Sequence, residues 1–157
     1  MTLIGDRRKF AAEVGSPDTA LGAFTRAYVH PAEAPFRRVD LWAANQWITC
    51  DDNLVYTPQF RGSVRRTATL VHPDQDPNGQ LSERFPGFLD WGPTTDNVVT
   101  CLFRTGELLT ITLEFWRREH LRTHPEHDGT VFTTEIHRTE FLGVLDELVA
   151  TLVPHDS

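Results

Sequence analysis

A chain of 157 residues, 39% of them hydrophobic, has the size and apolar content of one globular domain. At that length folding buries roughly two-thirds of the surface of the unfolded chain, so neither disulfides nor a metal is needed as a staple. The net charge of −7, from 22 acidic and 15 basic residues, disfavours nucleic acid as a partner, because neutralising phosphates needs a basic face.

No stretch approaches the roughly 20 consecutive apolar residues that span a bilayer, so no membrane association is expected. In the opening MTLIGDRRKF, charges stand where a signal peptide carries its apolar core, and the expected location is the cytoplasm. Cys50 and Cys101 form no CxxC pair and read as reduced, buried thiols. Fourteen arginines against the single Lys9 reflect a GC-rich coding sequence and carry no mechanism.

Along the chain, Lys9–Val14 and Ala23–Val29 read as strands separated by the turn-forming Gly15-Ser16-Pro17-Asp18. Pro31–Pro35 is a loop, Val39–Ala43 a strand, Ala44-Asn45 a turn and Trp47–Thr49 a short returning strand. Thr57-Pro58 starts a helix, with Thr57 as its cap, and Phe60, Val64, Ala68 and Val71 form its apolar stripe up to Pro73. His72–Ser82 is a loop. Val98–Arg104 and Leu108–Arg117 form a hairpin about Thr105-Gly106. In its second strand Leu109, Ile111, Leu113 and Phe115 face one way, and Thr110, Thr112, Glu114 and Trp116 the other. Val131–Arg138 alternates again, and Thr139 caps a last helix striped by Phe141, Leu145, Leu148 and Leu152. Pro154 ends it. Strands, helix, strands, helix predict an α+β fold: an antiparallel sheet of about six strands with two main helices on one face, in a single domain over residues 1–157.

Three segments have the residue types of a site. His120, His124 and His127, with Glu119, Glu126 and Asp128 nearby, offer metal-ligand chemistry. Their spacing matches no metal motif, however, and Pro125 interrupts the helix that would align His120 with His124, so a solvated loop without metal is expected. On the outward face of the long strands, Glu114 and Glu135 would lie diagonally across the pair if the strands close symmetrically. With His137 they form the best acid–base candidate. An open polar sheet face is the simpler reading, in which Trp116 stands out as an anchor for a protein partner. The third is the stiff aromatic loop from Phe85 to Pro93, with Asp90 and Trp91, either pinned to the core or offered to a partner. Asp51 and Asp52, ahead of the first helix, favour its positive end or form part of an acidic docking patch. GxSxG, Walker A, GxGxxG and HExxH are all absent from the sequence, and no enzyme activity, catalytic residue or cofactor is expected.

Ile4-Gly5-Asp6, followed by Phe10-Ala11 and Glu13, resembles the start of a family of bacterial polymorphic-toxin immunity proteins, in which IGD-x-x-x-FA leads into the first strand. The resemblance covers about the first fourteen residues, and Gly15-Ser16-Pro17 departs from it. It implies a non-enzymatic interaction protein that binds and neutralises a cognate toxin. A basic toxin, such as a nuclease, suits the acidic charge. The expected contacts are Asp51, Asp52, Asp90, Trp91, Glu114, Trp116 and Glu135. The alternative is a small-molecule-binding protein or enzyme using Glu114, Glu135 and His137.

Overall fold

The computed structural model describes residues 1–15, 36–50, 53–72, 85–86 and 89–153. The fold class is α+β. Among the described residues the sheet expected to have about six strands is instead two antiparallel sheets, one of five strands and one of four. The expected strand Ala23–Val29, the loop Pro31–Pro35, most of His72–Ser82 and Pro154 lie outside the described residues. No described helix is long and apolar enough to cross a membrane.

The first sheet opens with a hairpin that covers the IGD segment. Strand β1 (Thr2–Asp6) pairs with β2 (Phe10–Val14), Gly5 opposite Ala11. The Asp6 carbonyl accepts the Lys9 amide at 2.9 Å, and its carboxylate accepts the Arg8 amide at 2.9 Å, which closes the turn. Ile4, Phe10 and Ala11 are buried, so each position of the motif has a packing or turning task. Strand β3 (Phe36–Ala43) pairs with β2 and then reverses into β4 (Gln46–Trp47). Ala44 and Asn45 both take positive φ, 51° and 60°, as a two-residue turn matched to the twist of its strands demands. Strand β5 (Leu54–Tyr56) pairs with the first residues of β3 and runs into helix α1 (Thr57–Val71).

The expected Thr57 cap moves by one residue. Tyr56 is the extended N-cap, Thr57 is the first helical residue, and Pro58 takes the first turn, where no amide is needed. Helix α1 ends at Val71, and His72 is extended (φ −65°, ψ 131°), as the residue before a proline must be. Phe60, Val64 and Val71 are buried as the stripe requires.

The second sheet runs in the order β6 (Phe85–Pro86), β7 (Val98–Thr105), β8 (Leu108–Phe115), β9 (Val131–His137). A 3₁₀ turn (Pro93–Thr95) precedes β7, and helix α2 (Arg118–Thr123) with a second 3₁₀ turn (Pro125–His127) connects β8 to β9. The alternation in β8 is kept: Leu109, Ile111, Leu113 and Phe115 are buried, and Glu114 is exposed. Helix α3 (Arg138–Thr151) buries Phe141, Val144, Leu145 and Leu148 and contacts α1, β1, β2 and β9, so it joins the two sheets. Its cap is His137 rather than Thr139: the His137 ring accepts the Thr139 amide at 3.4 Å.

At the centre Phe10 meets Trp91 edge-on at 6.0 Å and Phe141 at 5.1 Å, and Phe60 meets Trp91 at 5.7 Å. Trp91 is 3% exposed and gives its indole N–H to the Thr67 hydroxyl at 2.9 Å. The expected partner contact at Trp91 is therefore corrected: its ring is pinned to the core, because an indole with an internal acceptor is better buried than displayed.

Arg138, also buried, donates to the Glu107 carboxylate, and its backbone amide donates to the Glu107 carbonyl at 2.8 Å. This ties the β7–β8 turn to the start of α3 and explains why the helix begins before Thr139. The hydrogen bond from Arg138 holds the Glu107 carboxyl below the usual range. A carboxyl whose folded pKa is depressed stabilises the fold above its ordinary value, about 4.3, and loses that contribution as pH falls. Thermal melts of wild type and Glu107→Gln should therefore differ at pH 7 and converge as pH falls below the ordinary glutamate range and through the depressed pKa of the folded carboxyl. A gap that persists at acid pH would assign the effect to shape rather than charge.

Candidate functional site

A cleft of about 930 Å³ opens where the β3–β4 hairpin faces the segment that follows β8. One wall is Trp42 and Trp47, directly opposite each other across the hairpin and stacked at 6.3 Å. The Arg7 guanidinium lies over the Trp42 ring at 4.5 Å. The other wall is Phe115 with His120, His124 and His127.

The first wall is anchored on Asp40. This carboxylate is 3% exposed and accepts the Trp47 indole N–H at 2.9 Å, the Asn53 amide at 3.0 Å, the Thr49 hydroxyl at 3.2 Å and Arg38 at 3.2 Å. Four donors compensate its desolvation and fix Trp47, Thr49 and Asn53 about it. The buried Asn97 amide donates to the Thr49 carbonyl at 3.0 Å, which ties this wall to the start of β7.

The second wall is a stack of rings. His120 lies on Phe115 at 4.0 Å with 12° between the planes, and His127 on the same ring at 5.0 Å and 21°. His124 is near-parallel to both, at 4.9 Å from His120 and 5.1 Å from His127. Pro125 does not break the alignment as expected. The His124 amide still donates to the His120 carbonyl at 2.9 Å, which completes a helical turn, and Pro125 opens the 3₁₀ turn that carries His127 back beside His120. His120 Nε2 meets His127 Nδ1 at 2.8 Å, and His120 Nδ1 meets Cys50 Sγ at 3.5 Å. Burial, then the neighbouring His124 and His127, push the His120 pKa down, so the ring is neutral at pH 7.

The sheet face has a different geometry. Glu114 pairs with Val99 on one side and Val131 on the other, whereas Glu135 pairs with Thr110 and His137 with Leu108. Glu114 and Glu135 are thus four positions apart along the strands, about 13 Å, and the expected diagonal contact does not form. The reason is the register: the β8–β9 connection closes so that Glu114, near the end of β8, meets the first residue of β9. None of Glu114, Glu135 and His137 lines the cleft, and His137 is engaged in capping α3. Trp116, 56% exposed, lies beyond Glu114 at the end of this face, where Val99 and Val131 are also exposed. Asp90 is exposed, and Asp51 and Asp52 lie outside the described residues.

Sequence reasoning missed Asp40 and the part played by Cys50. An acid inside the apolar alternation Val39-Asp40-Leu41 was the one local signal for the first. No protein-family model, curated protein or solved structure matches the chain.

Proposed function

We propose that the chain is a non-enzymatic interaction protein, an immunity protein that binds a cognate basic toxin, with a nuclease as the natural case, and blocks its active surface. The observation that carries this reading is the exposed Trp116 at the end of a sheet face where Val99, Glu114 and Val131 form one row across three strands. Three exposed apolar side chains around a carboxylate are the composition of a recognition patch: the aromatic supplies affinity, and the acid selects a basic counterpart. The charge of −7 supports the same partner by speeding encounter at long range. Glu135, further along the face, extends the acidic side, and Asp51, Asp52 and Asp90 complete the proposed acidic contacts. The alternative, an enzyme or ligand site at Glu114, Glu135 and His137, would have to work with Glu114 four positions along the strands from Glu135 and with none of the three lining the cleft.

The test is the affinity for the neighbouring gene's product, by titration calorimetry at low and high salt. Trp116→Ala should weaken binding by about 2 kcal/mol, roughly 30-fold, with the melting temperature unchanged because the side chain is exposed. Glu114→Lys should weaken it most at low salt. Unchanged affinity in both variants would retire this face as the site, and absence of any complex would retire the reading.

A further inference from the structure

We propose that His124, Glu126 and His127 form a transition-metal site of the zinc class at the mouth of the cleft, with His120 and Cys50 behind it as positioning residues. This goes beyond the partner-binding reading and is independent of it. The donor atoms of the three ligands all lie within 4.8 Å of one another. Glu126 Oε1 is 3.3 Å from His124 Nδ1 and 3.8 Å from His127 Nε2. Tetrahedral coordination at about 2.0–2.1 Å sets neighbouring ligand atoms roughly 3.3 Å apart, so small side-chain rotations bring this trio onto a metal. Two imidazoles and one carboxylate make a ligand set suited to zinc, iron or nickel, and leave a coordination position for water or a bound ligand.

The hydrogen-bond chain behind the trio supplies the second argument. With the Cys50 thiol proton assigned to the Trp47 carbonyl at 3.4 Å, the sulfur accepts the Nδ1–H of His120 at 3.5 Å. His120 is then an acceptor at Nε2, and it takes the Nδ1–H of His127 across 2.8 Å. That tautomer puts the lone pair of His127 on Nε2, the atom that faces Glu126. Metal-bound histidines commonly donate their second N–H to a fixed acceptor, and here the acceptor is another histidine held by a thiol and stacked on Phe115. A merely solvated loop has no need of two histidines in one hydrogen-bonded relay with a third stacked on both.

The experiment uses the tag-free full chain, stripped with chelator, titrated with Zn²⁺ by calorimetry and with Co²⁺ by visible absorption. The expected result is one ion per chain, a rise in melting temperature, and d–d bands of a four- or five-coordinate N/O site. His124→Ala and Glu126→Gln, both at positions more than half exposed, should keep the fold by circular dichroism and lose the bands. His120→Ala should weaken Zn²⁺ binding about 10- to 100-fold, whereas His120→Gln, which keeps an acceptor for His127, should restore much of it. A folded wild type without saturable 1:1 binding would overturn the proposal, and so would binding unchanged in the His124→Ala, Glu126→Gln double variant.

Discussion

Gly5→Ala should destabilise the protein by about 3 kcal/mol, on the order of a 10 °C loss in melting temperature for a chain of this size. Two independent costs meet at this position. Its φ of +89° is one that residues with a side chain rarely adopt. In addition, a Cβ built there would stand 2.4 Å from the Phe10 carbonyl oxygen and 3.0 Å from Val144 Cγ2. The carbonyl belongs to the backbone of β2, which cannot yield without breaking its pairing with β1, and Val144 belongs to α3. One methyl group therefore strains both the hairpin and the helix that covers it. Urea denaturation measures the effect, and a loss under about 1 kcal/mol would show that the hairpin shifts freely, against this account of the IGD segment.

The second large effect is expected at Asp40. In Asp40→Ala the Trp47 indole, the Thr49 hydroxyl and the Asn53 amide lose their shared acceptor inside the first cleft wall. A stranded buried donor costs about 1–3 kcal/mol; Thr49 is buried and Trp47 and Asn53 are half-buried, so the sum is about 4 kcal/mol. Asp40→Asn keeps an oxygen for those three donors and forfeits the partner of Arg38, so its cost should be nearer 1–2 kcal/mol. The order of the two denaturation midpoints is the decisive readout. Equal midpoints would mean that charge, rather than acceptor geometry, sets the contribution of this residue.

The parts of the fold legible in the sequence are those in which one period governs one element. Strand β8 alternates over its whole length, α1 and α3 carry unbroken stripes, and the Ala44-Asn45 reversal follows from turn chemistry alone. Strand β1 escaped because its five residues include a left-handed glycine and end on an acid, so no alternation is visible. The division into two sheets escaped for a different reason: pairing depends on partners far apart in sequence, such as β2 with β3, which local patterns do not encode. Trp91 was ambiguous because an aromatic between Pro and Gly residues has the same local signature whether it fills the core or faces a partner. Only Thr67, 24 residues away, decides it. The histidine stack was half legible. Its residue types stood out, but its closure depends on the turn at Pro125 and on Cys50, 70 residues before His120.

The connection from β8 to β9 governs how the chain is free to change. Neither α2 nor the 3₁₀ turn after it contains a buried residue, and Leu121 is the one apolar side chain there that leans on the core. The sheet on either side is fixed by β8 and β9 themselves, whose pairing closes at Glu114 and Val131 without help from the excursion between them. Substitutions at its exposed positions are therefore almost silent for folding, whereas those at Leu121 or at His120 and His127, which stack on Phe115, reach the core as well. Mutational drift at the exposed positions is bounded by what the cleft must hold rather than by stability, so this stretch can acquire or lose a binding specificity while the scaffold beneath it stays the same.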